Sequence, residues 1–257
     1  MKLFQGCPLS RCQDEPQGSA PTLGERLCQT FSRQRRKEAR PGEIAEAALE
    51  LFVEKGFAAT KLDEVAQRAG VSKGTVYLYF KSKEDLLRSV IEHSVIPLFA
   101  LSDQLVEALW DTPDVLLRDL MTGWWQQVGT TKLGGIPKLL LSEAQNFPEL
   151  AQYHYDNVIA RWHATTRKVL VHGIELGVFR ELDVEATTHL LVAPLLMGAL
   201  WRNSFGCCGI QSIHPDQYIQ TTLHILLNGI RTTPTTDIGT SPVFAELMQP
   251  NHVQESI

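Results

Sequence analysis

Apolar residues recur at helical spacing through most of the chain, beginning shortly after position 40. Ile44, Ala48 and Leu51 fall at positions i, i+4 and i+7, while glutamates occupy another face. This spacing is typical of an amphipathic helix that buries one face. Gly56 suits the residue after the last turn, so the pattern predicts a first helix over about 42–55.

Two short helices joined by a glycine-containing turn are predicted next. The first covers about 61–69, with Thr60 in position to cap its start and Gly70 to end it. Ser72 can then cap a further helix over about 73–79. Two short helices separated by a turn of this kind form a helix-turn-helix. A fourth helix is predicted to begin only a few residues later, at Lys83.

The helix over 73–79 contributes little to a core, because only Val76 and the following Phe80 have the spacing of buried positions. Its other side chains carry hydroxyls, a lysine amine and phenols, which hydrogen-bond base edges and phosphates. A helix of this kind fits the major groove of DNA. A small helical subdomain without a DNA role would not need two exposed tyrosines beside three lysines. The sequence therefore predicts double-stranded DNA as a partner.

The stretch 44–87, which includes AALELFVEKGFAATKLDEVAQRAGVSKGTVYLYFKSKEDLL, resembles the DNA-binding domain of the TetR family of bacterial transcriptional regulators. The resemblance implies a three-helix DNA-binding head followed by a larger helical domain that binds an inducer and dimerises. Carried over by position, it implies DNA contacts by Ser72, Lys73, Gly74, Thr75, Tyr77, Leu78 and Tyr79 on the recognition helix and by Thr60 and Lys83 near the phosphates. Many members carry an aromatic residue where Leu78 stands, so packing is an alternative role for that side chain.

The remainder of the chain predicts an all-α fold. A helical pattern covers Lys83–Leu109, with a break near Pro97. Further helical patterns cover Pro113–Val128, Ile136–Asn146, Pro148–Leu176, about 184–205 and about 215–230. We therefore expect a flexible leader with a basic end over 1–36, the DNA-binding domain over 37–83, a regulatory and dimerisation domain over 84–231, and a disordered tail over 232–257.

The helix over about 184–205 is apolar on nearly every face, and the helix over about 215–230 has apolar residues at strict helical spacing. A helix that is apolar all round is buried on two sides. We therefore expect these two helices to form a two-fold homodimer interface. The side chains expected near its centre are Leu195, Trp201, Leu223 and Leu227.

All five tryptophans lie outside the predicted head. Ligand pockets between the helices of a bundle are lined mostly by apolar and aromatic side chains. We expect a cavity for a small hydrophobic effector, lined by Phe99, Met121, Trp124, Trp125, Tyr155 and Trp162. The same residue types also build ordinary cores, so core packing is the alternative for each of them.

The distribution of charge along the chain indicates which part would meet a polyanion. The 257 residues carry a net charge of −5, but residues 1–90 hold 15 Lys and Arg against 12 Asp and Glu. A mildly basic front on an acidic body suggests that a polyanion meets the N-terminal third. The longest uncharged apolar run, Leu190–Trp201, is shorter than the roughly 20 residues of a membrane span. No apolar segment of a signal peptide follows Lys2, so we expect a cytoplasmic protein without a membrane partner.

The sequence offers no catalytic or metal-binding constellation. The segment Gly70–Gly74 fits G-x-S-x-G, but that motif requires a preceding strand, and here a helix is predicted. His154, His163 and His172 are nine residues apart, which places successive rings on opposite faces of a helix. None of the five cysteines forms a C-x-x-C motif. We therefore expect no metal, no cofactor and no enzymatic activity.

Together these patterns favour a dimeric, ligand-responsive repressor that binds a palindromic operator and is released by a small hydrophobic molecule. Two alternatives remain at this level. One is a constitutive DNA-binding protein without an inducer, and the other is a helical enzyme or ligand carrier with an incidental helix-turn-helix.

Overall fold

The computed structural model describes residues 41–208, 214–236 and 239–249, and these residues form helices and loops without a strand. The predicted leader over 1–36 lies outside the described residues. The helices are α1 (41–55), α2 (Leu62–Arg68), α3 (Lys73–Tyr79), α4 (Lys83–Ser94), α5 (Phe99–Leu109), α6 (Pro113–Trp124), α7 (Gly135–Glu143), α8 (Pro148–His154), α9 (Ala160–Glu175), α10 (Val184–Phe205), α11 (Pro215–Ile230) and α12 (Pro242–Leu247). The all-α prediction is confirmed.

Short segments with tighter or wider turns connect several of these helices. A 3-10 turn at Ile96–Leu98 separates α4 from α5, which confirms the break predicted near Pro97. Wider π turns cover Trp125–Gly129 after α6 and Tyr155–Ile159 after α8. A 3-10 turn at Lys132–Gly134 leads into α7, and another at Gly206–Cys208 follows α10.

Local chemistry explains where the helices of the head begin and end. Ser72 accepts a hydrogen bond from the Thr75 amide at 3.1 Å and starts α3, as predicted. Gly56 and Gly70 adopt φ angles of 83° and 64° at the ends of α1 and α2. Side chains other than glycine rarely adopt this left-handed conformation, so the two glycines allow the tight turns of the head.

The core of the head extends beyond the first three helices. Ile44, Val65 and Val76 are fully buried there, and so is Leu86 of α4. Ile136 of α7 belongs to the same apolar cluster. The expected domain boundary at residue 83 is therefore not a packing boundary, because α4 and α7 complete the core of the head.

A second apolar cluster holds the body together. It combines α5, α6, α9, α10 and α11, with Leu117, Val169 and Leu195 fully buried. By length and composition α10 is long enough to cross a membrane. One side of α10 packs against α7, α9 and α11 of the body.

The expectation of a disordered tail from residue 232 onward is wrong for the described part of that segment. Ser241 caps α12, and Phe244 is buried against Gly123 of α6. The Ser241 amide donates to Asp119 at 3.2 Å, and the Ser241 hydroxyl also donates to that carboxylate. The described part around α12 is ordered because it supplies both an apolar anchor and hydrogen bonds to a buried acid.

Candidate DNA-binding site

The recognition helix α3 is attached to the head through one side only. Val76 is fully buried and Phe80, at the end of the helix, is 6% exposed, as the spacing predicted. Ser72, Lys73 and Gly74 are exposed at the start of the helix, and Thr75 is half-buried. The Ser72 and Thr75 hydroxyl oxygens lie 2.8 Å apart, within hydrogen-bond distance. The N-terminal turn of α3 therefore presents backbone, hydroxyl and amine groups to the exterior.

The side chains farther along α3 extend the same exposed surface. Leu78 is 74% exposed and Tyr77 is 48% exposed, while Tyr79 is half-buried beside Phe80. The alternative that Leu78 packs in the core is wrong, because most of its surface is outside. An apolar side chain in this position can contact thymine methyl groups in the major groove.

Lys73 is held by a partner that the sequence analysis missed. Its amine lies 2.8 Å from Asp63 on α2 and 5.8 Å from the centroid of the Tyr77 ring. The hydrogen bond to Asp63 raises the pKa of Lys73 above its usual value, so the amine stays charged at neutral pH. Both side chains are more than half exposed, and an exposed ion pair of this kind is weak. A phosphate or a base can therefore replace Asp63 at little cost.

Two residues expected near the phosphates have structural partners instead. Thr60 is 1% exposed, and its hydroxyl donates to the carbonyl oxygens of Gly56 at 2.8 Å and Leu51 at 3.2 Å. Its side chain therefore fixes the turn after α1 and does not reach DNA. Nor does Thr60 cap α2, because the residue before that helix is Lys61.

Lys83 is committed to the same turn. Its amine donates to the carbonyl oxygens of Phe57 at 2.9 Å and Ala58 at 3.0 Å. The amine also lies 4.9 Å from the centroid of the Phe57 ring. In this arrangement Lys83 joins the start of α4 to the turn after α1, and the third N–H of its amine is left to meet a phosphate.

The body contains a small cavity beneath the junction of α4 and α5. It measures about 60 Å³ and has a mostly apolar wall. Among the side chains predicted to line a cavity, Phe99, Trp124 and Trp162 do so. The prediction is wrong for Met121, Trp125 and Tyr155: the first two are core residues, and Tyr155 is 48% exposed on the surface.

Sequence reasoning missed the polar members of this wall, Ser102 and Gln127, because neither stands out from the surrounding helical pattern. It also missed Gly123. The Phe244 ring of α12 lies against that glycine.

Of the four residues predicted at a dimer interface, three are buried in the chain's own core and one is partly exposed. Leu195, Leu223 and Leu227 are at most 2% exposed inside the chain's own core, so the prediction is wrong for them. Trp201 is 37% exposed, and its ring contacts Phe205 at 4.7 Å between centroids. The exposed apolar side chains of α10 and α11 are Leu190, Met197, Trp201, Phe205 and Ile225.

Comparison with known proteins finds family models that match both the head and the body. Residues 44–90 match the family model described as bacterial regulatory proteins, tetR family. Residues 117–228 match the model described as the C-terminal domain of AefR-like transcriptional repressors. The two matches fall on the head and on the body, in the order expected for one regulator.

Individual relatives agree with the family models. The fatty acid metabolism regulator protein of Bacillus subtilis is 41% identical over 162 residues, which are 62% of this chain and 82% of that protein. The transcriptional regulator EthR of Mycolicibacterium smegmatis is 28% identical over 228 residues, 84% of this chain and 96% of that protein. The solved structure of the ketosteroid transcriptional regulator KstR2 of Mycobacterium tuberculosis has a TM-score of 0.60 and 26% identity, covering 76% of this chain and 96% of that one.

These relatives are named as regulators, two of them as transcriptional regulators, and none as an enzyme. The matched head carries an exposed recognition helix, and the matched body carries a cavity and two helices with an exposed apolar face. The chain belongs to the TetR family of bacterial transcriptional regulators.

Proposed function

We propose that the protein is a dimeric repressor that binds a palindromic operator and leaves it when a small apolar molecule occupies the body. The observation that carries this proposal is the exposure of α3, whose first turn presents Ser72, Lys73 and Thr75 while a single residue of the helix, Val76, is buried. In a helix-turn-helix, the N-terminal residues of the second helix contact base edges. A cytoplasmic location belongs to the same proposal, because the operator is there.

Replacing Lys73 or Thr75 by alanine tests this proposal. Each substitution should weaken operator binding by about 1–3 kcal/mol and relax base preference at one or two positions of each half-site. Binding to a scrambled duplex should change much less, because contacts to phosphates alone carry no sequence information. The measurement is the affinity of each variant for operator and scrambled duplexes across a salt series. Equal weakening on both duplexes would show that α3 only clamps the backbone.

The matched control is Lys81→Ala, which removes an exposed lysine after α3 that does not belong to the recognition turn. It should lower affinity for both duplexes by a similar factor or leave both unchanged. Circular dichroism of each variant should match the unsubstituted protein, since the side-chain contacts of Lys73 and Thr75 lie at the surface and Lys81 is exposed.

The cavity supports release by an apolar effector. At about 60 Å³ it is far below the roughly 300–1,000 Å³ of pockets that enclose drug-sized ligands, so a ligand fits only when the helices move apart. A ligand that binds one arrangement of helices shifts the population toward it. Two similar proteins are named for fatty acid metabolism and for ketosteroid regulation, and both compound classes are apolar.

Dimerisation is supported by the face of α10 that the body leaves exposed. Leu190, Met197 and Trp201 are separated by seven and four residues, which places them on one side of the helix. Ile225 of α11 is 63% exposed. An apolar surface of this kind on two long helices is typical of a protein interface. A two-fold axis beside α10 would bring two copies of the same face together.

Met197→Glu should shift the protein toward the monomer, because a carboxylate would have to be desolvated at the centre of the interface. We expect the dimer dissociation constant to rise by a factor of about 10 or more, which corresponds to about 1.4 kcal/mol. Sedimentation velocity over a range of protein concentrations measures the change. Leu141→Glu is the control, since Leu141 is 62% exposed but belongs to α7 and not to the exposed apolar face of α10 and α11. A dimer unaffected by Met197→Glu would contradict the assignment of this face.

A further inference from the structure

A second cleft lies at the N-terminal half of α6 and shares no residue with the apolar cavity. It is bounded by α6, by the turn after α9 and by the segment that follows α11, and it measures about 420 Å³. The chain segments on its two sides are tied together, because the Thr232 amide donates to the Val178 carbonyl at 3.0 Å. The cleft is therefore a pre-formed feature of the body with its own set of side chains.

Two buried arginines form part of its wall. The side chain of Arg118 is 5% exposed, and its Nε donates to Asp119 at 3.1 Å. Asp119 also accepts two hydrogen bonds from Ser241, so its carboxylate is mostly occupied by hydrogen bonds to the residue that starts α12. In the part of the chain that the structure describes, the hydrogen bond from Nε to Asp119 is the one found for the Arg118 side chain, and Arg118 lines the cleft. A guanidinium fork is thus available to the cleft while the rest of the side chain is fixed.

Arg231 provides a second incompletely paired guanidinium. Its side chain is 6% exposed, and Nη2 donates to Asp114 at 2.8 Å. Its Nε is buried without a hydrogen-bond partner among the described residues. Buried polar groups are nearly always hydrogen-bonded, so an orphaned guanidinium nitrogen beside a cleft indicates a missing acceptor.

The remaining wall is mixed in character. Val115 and Val178 contribute apolar surface, and the hydroxyl-bearing side chains of Thr232 and Thr233 are exposed. The Asp114 carboxylate also lines the cleft, where it is paired with Arg231. An arginine fork matches a carboxylate through two parallel hydrogen bonds. The two valines then provide a place for a short apolar group attached to that carboxylate.

We propose that this cleft binds a small organic carboxylate, with its oxygens on Arg118 and Arg231 and its apolar part against Val115 and Val178. The site is separate from the apolar effector cavity and does not depend on the DNA-binding function. Inorganic phosphate would use the guanidinium groups but not the valines, so the same argument ranks it below a carboxylate that carries a short carbon chain.

Isothermal titration calorimetry of the full chain with butyrate, benzoate and inorganic phosphate tests the proposal. We expect saturable binding of butyrate or benzoate with one site per subunit, and binding of phosphate that is at least about 10-fold weaker. Absence of saturable carboxylate binding at millimolar concentrations would overturn the proposal. Phosphate binding as tightly as either carboxylate would overturn the assignment of the ligand class.

Variants locate the site without removing a buried ion pair. Thr233→Glu places a carboxylate at the cleft and should lower the affinity for the added carboxylate by about 10-fold or more, because it competes for the same guanidinium groups. Thr236→Glu adds the same charge on an exposed neighbour that does not line the cleft, and it should leave the affinity unchanged. Equal losses in both variants would show that the carboxylate binds elsewhere.

Arg118→Lys provides a second measurement. It keeps the positive charge beside Asp119 but removes the planar fork, so carboxylate affinity should fall while the thermal unfolding midpoint stays close to that of the unsubstituted protein. Unchanged carboxylate affinity in this variant would contradict the role given to Arg118.

Discussion

Replacing Asp119 by alanine should lower the free energy of unfolding by about 3–5 kcal/mol, because it leaves the buried Arg118 guanidinium without its counter-charge. Asp119 is fully buried, and it accepts hydrogen bonds from Arg118 and from both the amide and the hydroxyl of Ser241. The substitution therefore breaks an ion pair and releases α12 in one step. Urea unfolding at fixed protein concentration measures the loss, since the stability of a dimer depends on concentration.

Two further variants separate the parts of this contact. Ser241→Ala should cost about 1–2 kcal/mol, because it removes the cap of α12 and one hydrogen bond while the ion pair remains. Asp111→Ala removes an exposed acid just before α6 and should change the stability by less than about 0.5 kcal/mol. Asp119→Ala should lower the free energy of unfolding more than Asp111→Ala does. If it did not, the buried contacts of Asp119 with Arg118 and Ser241 would not hold α12 in place.

Local signals explain which parts of the fold could be predicted. The cap Ser72, the glycines after α1 and α2, and regular apolar spacing place helix ends within a few residues of those observed. These features act between neighbours in the chain, so the sequence displays them directly. For the same reason the amino-acid pattern alone predicts that the first turn of α3 is exposed and suited to contacting DNA.

Long-range contacts explain what could not be predicted. The threonine-rich segment before α12 has no helical period, and its order depends on Asp119, which lies 122 positions earlier. The sequence also does not show which face of α10 is buried, because the helix is apolar on nearly every face. Tertiary packing buries Leu195 and leaves Met197 57% exposed, although the two residues look equivalent in the sequence.

The adjacent Trp124 and Trp125 also show that the sequence alone does not tell which side chain lines the cavity. Trp125 turns inward and its ring packs against Gly198 of α10, whereas Trp124 borders the cavity. Thr60 and Lys83 were carried over from the family by position, and the structure gives their polar atoms to backbone carbonyls of the head. Position in a motif therefore identified the neighbourhood of each residue but not its partner.

The connection between cavity and head passes through the segment from Trp125 to Gly135. Gln127 and Val128 of this segment line the cavity. Lys132 forms an ion pair with Glu50 on α1, and its hydrogen bond lowers the pKa of Glu50 below the usual value. Gly135 lies directly against α1, where an added Cβ would come within 2.5 Å of a Val53 methyl carbon. We expect these close contacts to pass a movement of the cavity wall on to the first helix of the head.

Gly135→Ala should therefore push α1 away from the start of α7 and reduce operator affinity by about 5-fold or more, the lower end of typical coupling between sites. The backbone at Gly135 has an ordinary helical conformation, with φ of −75°, so alanine introduces crowding and not backbone strain. Overpacking of this kind should also cost about 1–3 kcal/mol of stability. Operator affinity and urea unfolding measure the two effects.

The partner substitution Val53→Ala removes the methyl groups that the new Cβ would meet, so the double variant Gly135→Ala/Val53→Ala should recover operator affinity. Residues in direct contact show interaction free energies of about 0.5–3 kcal/mol in such a cycle. Gly42→Ala on α1 is the control, since an added Cβ there meets no atom within 4 Å. If Gly135→Ala and Gly42→Ala had the same effect, or if Val53→Ala gave no recovery, the close contact between α7 and α1 would not set the position of the head, and the cavity would have to act on DNA binding through α4 alone.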